Sequence, residues 1–366
     1  MEKTISSAPN SAGFPTREPA KIKKLLIVSD AWLPQVNGVV RTLQTTVRHL
    51  TGFGVDIEVV GPNRFRNAPL PTYPEIRLAL TRTSEIGRII ERFAPDAVHI
   101  ATEGPLGWLT RRWMQQQSLP FTTSFHTMFP QYVEMRTGIP ERYGFAMLRR
   151  FHDAAARTMV STNNLRSLLA ANHFENLAIW PRGVDTELFK PSADNTLGLE
   201  GARPHLFYIG RVAVEKNLET FLSLATPGTK FVVGDGPARQ ELEKKYPATR
   251  FLGTKHGAEL VAHYNAADVF VFPSLTDTLG LVMLEAMACG VPVAAFPVLG
   301  PLDVIGDSRA GVMANDLKLA VEQAAALDRS VCRPRALEFS WDSASRRFLE
   351  LLEPLSPQYG AHGVTL

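Results

Sequence analysis

The sequence predicts an α/β protein of two doubly wound layers facing each other across a cleft. Three observations predict it. Short apolar runs alternate with helical stretches; the alternation breaks at "WPRGVDTELFKPS" and then starts again; and the chain has 366 residues. Strand and helix in alternation make a parallel sheet with helices on both faces. A chain of this length is too long for one ordinary core and long enough for two.

The elements follow in order. "KKLLIVSD" (residues 23–30) is an apolar run bounded by charge and turn residues, as a buried parallel strand is. "NGVVRTLQTTVRHLTGFG" follows as a helix ending in glycines, then "VDIEVVGP" as a second strand, with "PDAVHIAT" and "FTTSFH" as further strands. In the second layer "HLFYIG", "KFVVGDG", "RFLGT", "VFVFPS" and "VPVAAFP" read as strands, and "NLETFLSLA", "ARQELEKKY", "GAELVAHYNAA" and "LVMLEAMA" as the helices between them. In "FSWDSASRRFLELLEPL" Ser340 is placed to cap a last helix with apolar positions at helical spacing. The expected units are a disordered leader (1–20), an N-terminal domain (21–183), a C-terminal domain (184–338), a final helix (339–356) and a flexible tail (357–366).

Composition narrows the function classes. At 45% hydrophobic and 20% charged residues the chain is globular. Its two cysteines, Cys289 and Cys332, fit a reducing compartment better than a disulfide framework. No apolar run reaches the ~18 residues of a membrane span, and the leader lacks the apolar stretch of a signal peptide. The expected location is the cytoplasm. Residues 21–185 carry 20 Lys and Arg against 13 Asp and Glu, whereas residues 186–366 carry 17 against 21. A basic half joined to an acidic half fits an anionic partner for one of them, and equally fits drift of surface charge. Within the basic half, Arg136, Arg142, Arg149, Arg150 and Arg157 interleave with Tyr143, Phe145, Met147 and Phe151. That pattern suits an anionic membrane surface, with Trp113 and Phe151 inserting if exposed. It also describes an amphipathic helix whose aromatics face the core.

Two loops draw attention. "SLTDTLGLVMLEAMACG" (residues 274–290) sets Asp277 in a turn after a strand and Glu285 on the helix that begins near Leu281. A helix N-terminus receives phosphate well, and Gly280 lets an anion approach the backbone. Glu285 could accept from ribose hydroxyls and Asp277 from sugar hydroxyls. The same pattern fits a turn aspartate and a solvated helix glutamate. "YIGRVAVEKNLETF" ends a strand at Gly210 and places Arg211 and Lys216 in the next loop. They are suited to a diphosphate, Arg as a fork and Lys as a point charge.

Taken together, "GRVAVEKN", "TDTLGLVMLEAMACGVPVAA", "RGVDTELFKP" and "GDGPARQELE" resemble the retaining glycosyltransferases of family 4, of GT-B fold, over residues 23 to about 352. The resemblance implies that Asp277, the first acid of an E-x7-E region that usually begins with Glu, contacts the donor sugar and that Glu285 binds the nucleotide ribose. It implies diphosphate cations at Arg211 and Lys216, a donor-facing histidine at His126, and a glycine loop in "PQVNGVVRTL", where Asn37 replaces the first glycine and Gly38 remains. Gly210, Gly280 and Leu281 complete the implied donor site.

The activity so implied is transfer of a mannose- or glucose-type hexose, with retention, from a nucleotide-diphosphate sugar such as GDP-mannose or a UDP-sugar. The C-terminal domain would hold the donor and the N-terminal domain a hydroxyl acceptor, with a membrane glycolipid as the leading acceptor and peripheral attachment to the inner face of the plasma membrane. No cofactor beyond the donor, no metal and no nucleic-acid partner is expected; the sequence has no D-x-D pair, and cations with a helix dipole can take the place of Mg²⁺. A soluble acceptor, or a nucleotide-sugar epimerase of the same fold, are the alternatives.

Overall fold

The computed structural model describes residues 22–35, 37–70, 73–192 and 197–355. The expected leader 1–20 and tail 357–366 lie outside them, as does the Arg136 side chain. The first half contains β1 (Lys24–Val28), α1 (Gly38–Gly52), β2 (Asp56–Val60), β3 (Arg66–Leu70), β4 (Tyr73–Leu80), α2 (Thr83–Phe93), β5 (Ala97–Ile100), α3 (Pro105–Gln116), β6 (Thr122–Ser124), α4 (Phe129–Thr137), α5 (Glu141–His152), β7 (Arg157–Val160), α6 (Asn163–Ala171) and β8 (Leu177–Ile179). The second contains β9 (His205–Ile209), α7 (Leu218–Leu222), β10 (Thr229–Val233), α8 (Arg239–Lys245), β11 (Arg250–Gly253), α9 (Gly257–Ala266), β12 (Val269–Phe272), α10 (Leu281–Ala288), β13 (Val293–Ala295), α11 (Leu299–Val304), β14 (Gly311–Met313), α12 (Leu317–Ala324) and α13 (Cys332–Leu337), and is followed by α14 (Trp341–Leu351).

Each half is a six-stranded parallel sheet, in the orders β2-β1-β5-β6-β7-β8 and β11-β10-β9-β12-β13-β14. The continuous apolar runs arise because successive strand residues meet different helices. Leu26 and Val28 pack with Ile86, Leu106 and Met114 of α2 and α3. Leu25 and Ile27 pack with Leu43 and Leu50 of α1. In the second sheet Phe207 and Ile209 meet Met283 and Met287 of α10, while Leu206 and Tyr208 meet Leu218 and Phe221 of α7.

The last helix starts at Ser340, whose hydroxyl accepts from Ser343 N at 3.3 Å. It leaves the second half and completes the core of the first, where Phe348 and Leu351 join Leu43, Leu50 and Trp180. Leu355 N donates to Asp96 O at 2.7 Å, and Arg157 pairs with Glu353 at 2.7 Å. Burial of Phe348 alone is worth about 3–5 kcal/mol against alanine.

Some elements have no counterpart in the sequence reading. β3 and β4 form an antiparallel ribbon beside the first sheet, and β7, β8 and β14 are strands of three or four residues.

Strand order decides where a ligand can sit. The first sheet reverses between β1 and β5, and the second between β9 and β12. Crevices of doubly wound sheets open at such reversals, outside the carboxyl ends of the strands. The loops after β9 and β12 are the two motif-bearing segments, and the loop after β1 leads to Asn37 and Gly38.

Candidate active site

The two loops of the second half are tied together. Asn217, at φ 53°, donates from Nδ2 to Pro273 O at 3.0 Å and accepts from Thr220 Oγ1 at 2.8 Å. Tyr208 OH donates to Arg211 O at 2.7 Å, which fixes the start of the Arg211 loop. Lys216 Nζ then reaches Asp277 Oδ1 at 2.5 Å. Burial works against the Lys216 charge, but Asp277, Tyr132 and Tyr208 beside it leave its pKa above the ordinary lysine value. Lys216 is therefore charged. Asp277 Oδ2 and Ser274 Oγ are buried without a partner, while the Thr276 side chain meets the Tyr132 hydroxyl. Buried polar groups are normally satisfied, so this cluster on one loop marks a place where a polar ligand would complete the bonding. Arg211 is half-buried, its guanidinium 3.9 Å from Glu215.

Gly280 caps α10 at φ 85°. A Cβ there would lie 2.8 Å from the Phe272 ring, so glycine is required by conformation and space together. Leu281 opens the helix. Glu285 is buried, and burial raises its pKa while Arg41 and the Tyr264 hydroxyl lower it. Its Oε2 accepts from Tyr264 OH at 2.7 Å and its Oε1 pairs with Arg41 at 3.1 Å. Each carboxylate oxygen thus already holds one protein partner.

The first half faces this site. Asn37 Oδ1 accepts from Val40 N at 3.0 Å, so the residue standing in place of a glycine is the N-cap of α1. Gly38 follows it, and a Cβ there would meet nothing within 4 Å. His126 lies two residues beyond β6, with its carbonyl accepting from Thr278 Oγ1 at 2.8 Å. Arg182 Nη2 lies 3.4 Å from His126 Nδ1. Burial, then Arg182, His99 and His152, hold the His126 pKa well below the usual value. The ring is neutral, and with Nδ1 facing a donor its proton sits on Nε2, a buried atom without a partner. Ser161 Oγ also reaches Thr278 O, at 3.4 Å. Tyr132 of α4 lies in the field of Lys216 and Asp277.

The structure therefore brings Lys216 and Asp277 together, with Tyr132 in their field, and ties the His126 backbone to the same loop through Thr278, with Arg211, Gly280, Leu281 and Glu285 on the adjoining backbone. Sequence reasoning missed Arg41, Tyr132, Arg182 and Tyr264. The basic-aromatic stretch divides differently from expectation. Trp113, Phe145 and Phe151 are buried, so they cannot insert into a membrane. The exposed apolar residues of α4, α5 and their connection are Phe129, Val133, Met135, Ile139, Tyr143 and Met147. Among the described residues no three His, Cys, Asp or Glu side chains gather as a metal site, and no helix is long and apolar enough to cross a membrane.

Residues 36–188 match the family model Glycosyltransferase Family 4, and residues 203–331 match Glycosyl transferases group 1. A GDP-mannose-dependent alpha-mannosyltransferase of Mycolicibacterium smegmatis is 31% identical over 316 residues, covering 79% of this chain and 84% of the relative. The chain belongs to glycosyltransferase family 4. This glycosyltransferase is also similar to an alpha-monoglucosyldiacylglycerol synthase of Acholeplasma laidlawii, 26% identical over 322 residues, covering 73% of this chain and 78% of the relative. Its fold is GT-B. A sucrose-phosphate synthase from Thermosynechococcus elongatus superposes with a TM-score of 0.75 at 19% identity, over 89% of this chain and 97% of the other.

Proposed function

We propose that this glycosyltransferase moves a hexosyl group, with retention and without a metal ion, from a nucleotide-diphosphate sugar to a hydroxyl of a membrane glycolipid or lipid precursor. The observation that carries the reading is the unsatisfied Asp277 Oδ2 beside a charged Lys216, with a second unsatisfied atom, His126 Nε2, on the half whose backbone is tied to the same loop through Thr278. Together they offer sugar hydroxyls an acceptor and a donor, and a leaving diphosphate a cation.

In this reading Arg211, Lys216 and the α10 N-terminus receive the diphosphate. Glu285 takes the ribose, Asp277 and the neutral His126 take sugar hydroxyls, and Gly38 leaves room at the α1 N-terminus. The bond from C1 of the sugar to the phosphate oxygen breaks with its electron pair going to the diphosphate. The acceptor oxygen forms its bond to C1 on the same face, and its proton passes to the departing phosphate. Protein cations supply the charge stabilisation that a metal would otherwise give.

Two observations support a lipid acceptor. One relative is named for a glucosyldiacylglycerol product. The α4–α5 face joins exposed Phe129, Val133, Ile139, Tyr143 and Met147 to Arg142 and Arg150, the pairing of apolar and basic groups that an anionic bilayer surface accepts. Tyr132, on the same helix as Phe129 and Val133, meets the catalytic cluster, so the surface lies next to the chemistry.

The test is to supply GDP-mannose, UDP-glucose and UDP-galactose in turn, with anionic vesicles containing diacylglycerol or phosphatidylinositol, in excess EDTA. Transfer from one donor, giving an α-linked lipid product, is expected. A β-linked product, or complete loss in EDTA restored by Mg²⁺ or Mn²⁺, would overturn the mechanism. Conversion of the donor alone to an isomeric sugar would favour an epimerase.

A further inference from the structure

Glu285 is held from both halves of the molecule. Tyr264, on α9 of its own half, donates to Oε2 at 2.7 Å. Arg41, on α1 of the other half, lies 3.1 Å from Oε1. Arg41 sits one turn into its helix, its N–H bonded to Asn37 O at 3.0 Å, so the helix start that carries Gly38 also aims this guanidinium. The arginine side chain is 42% exposed and the glutamate 8%. Packing in its own half therefore does not fix Arg41; its ion-pair partner is a carboxylate across the cleft.

We propose that Arg41 is a positioning residue for the donor nucleotide: it draws the N-terminal half over the nucleoside by orienting the Glu285 carboxylate. The proposal rests on the reading of Glu285 as the nucleoside anchor. A carboxylate has about four lone-pair sites. Arg41 and Tyr264 occupy two, so two ribose hydroxyls can be accepted without displacing either protein partner. The hydroxyls donate, so the acid must be charged when the donor arrives.

Burial opposes that charge and leaves the Glu285 pKa above the usual glutamate value; Arg41 first, then the Tyr264 hydroxyl, work against the rise. Cys289, the C-cap of α10, is also an ionisable neighbour; burial pushes its thiol up to about 12, so it stays neutral, and Arg333 and Arg329 act on that thiol. Tyr264 is held well above the usual phenol range by burial and by Glu285, and remains a donor. Arg41 is thus the cation that favours the Glu285 charge, and it comes from the half that the nucleotide must be closed under. Closure and donor binding are then linked, each favouring the other by the same factor.

Calorimetric titration with GDP, UDP and ADP from pH 5.5 to 8.5 tests this on the wild type, Arg41→Gln, Arg41→Lys, Glu285→Gln and the double variant Arg41→Gln/Glu285→Gln. The expected result is about tenfold weaker binding of the preferred diphosphate in Arg41→Gln at pH 7, the loss typical of one charge-assisted contact. Its affinity should also begin to fall at a higher pH on acidification than the wild type's, because Glu285 then takes up a proton more readily. Arg41→Lys should return most of that shift, and the double variant should bind no worse than Glu285→Gln. A merely structural arginine would leave the pH profile unmoved. A wild-type profile in Arg41→Gln, or full addition of the two single losses, overturns the proposal while Glu285 keeps its role. Wild-type affinity in Glu285→Gln overturns the anchor reading and the proposal together.

Discussion

Lys216 Nζ lies 2.5 Å from Asp277 Oδ1, so the cation assigned to the diphosphate and the acid assigned to the sugar hold each other in place. The two side chains come from the loops after β9 and β12, the strands that flank the reversal in the second sheet. The pair sets a charged group at the junction of the halves at little net charge, and leaves Asp277 Oδ2 for a ligand.

Removing one partner should therefore have two consequences. Lys216→Ala should lower turnover by roughly 10²–10³, the usual loss for one preorganised donor, and also cost about 1–3 kcal/mol of stability by leaving Asp277 unpaired. Adding Asp277→Asn should return most of the stability and none of the turnover. Arg211→Ala should lower turnover in the same range. Thermal melts and transfer rates on the single and double variants decide it; wild-type turnover in folded Lys216→Ala would remove the site assignment.

Glu285 and Asp277 should separate by ligand. Glu285→Gln should weaken binding of the free nucleoside, which has no phosphate for Lys216 to meet, while Asp277→Asn leaves nucleoside affinity nearly unchanged and cuts transfer. Calorimetry on both variants reads this. Equal losses of nucleoside affinity would mean that the two acids do not divide nucleoside from sugar.

The two glycines should behave oppositely. Gly280→Ala forces a side chain into φ 85° and against the Phe272 ring, so it should lose at least 1–2 kcal/mol of stability. Gly38→Ala meets nothing in the protein and gains helix propensity, so it should melt no lower than the wild type. It should nevertheless raise the donor KM, because the added methyl enters the space left for the nucleotide. A Gly38→Ala enzyme with normal donor kinetics would contradict a donor contact at α1.

Stability should fall on mild acidification through His99. Its ring nitrogens contact Thr122 Oγ1 and Ser124 Oγ, each at 2.9 Å, and burial with Arg182 nearby lowers its pKa to about 3 from 6.5. The folded state thus keeps the ring neutral while the unfolded chain takes a proton below pH 6.5. The contribution is present in full above pH 6.5 and is lost as pH falls towards 3. Asp30 acts in the opposite sense: burial raises its pKa to about 6, so the fold gains as pH falls from 6 towards 3.8. The wild type alone therefore shows a muted slope. His99→Gln isolates the imidazole term: its deficit relative to the wild type should shrink by about 2 kcal/mol between pH 6.5 and 5, at ~1.4 kcal/mol per unit. A deficit constant with pH would show that His99 is not kept neutral.

The residues whose placement was legible in the sequence are those set by the local chain pattern. Arg211, Lys216, Asp277 and Glu285 sit in or just after loops that follow strongly apolar strands, and such loops read directly from the break in the run. Arg41 was not legible, because only the closure of one half on the other brings α1 to α10. Tyr264 sat in a helix that reads as apolar, and its hydroxyl partner is distant in the chain. The β3–β4 ribbon escaped because "RNAPL" contains a proline and polar residues, against the pattern of a buried strand. Asn37 reads from the sequence as a departure from a glycine pair, and the structure shows a helix cap. The α5 face was ambiguous for a physical reason: Phe145, Leu148 and Phe151 form one apolar stripe and Tyr143 and Met147 another. Periodicity does not say which of two apolar stripes meets the core.

That second stripe leads to the remaining prediction, attachment to anionic bilayers through α4 and α5. Arg142 lies over the Tyr143 ring at 4.8 Å, and Arg150 is exposed on the same helix. Each such cation near an anionic leaflet adds about 1 kcal/mol of attraction, screened over a Debye length of ~8–10 Å. Two or three of them, with Val133, Ile139 and Met147 entering the interface, should give reversible attachment that weakens with salt. Co-sedimentation with phosphatidylglycerol vesicles should show binding at low salt, less at high salt, and little to neutral vesicles. Arg149→Glu/Arg150→Glu should reduce it, and so should Ile139→Ser/Met147→Ser, whereas substitution of the buried Trp113 or Phe151 should act only by unfolding. Because these exposed side chains lie outside the donor cluster, both double variants should keep wild-type GDP or UDP affinity and lose rate only on vesicle-borne acceptor. Wild-type protein that stays in the supernatant at low salt would turn the assignment towards a soluble acceptor.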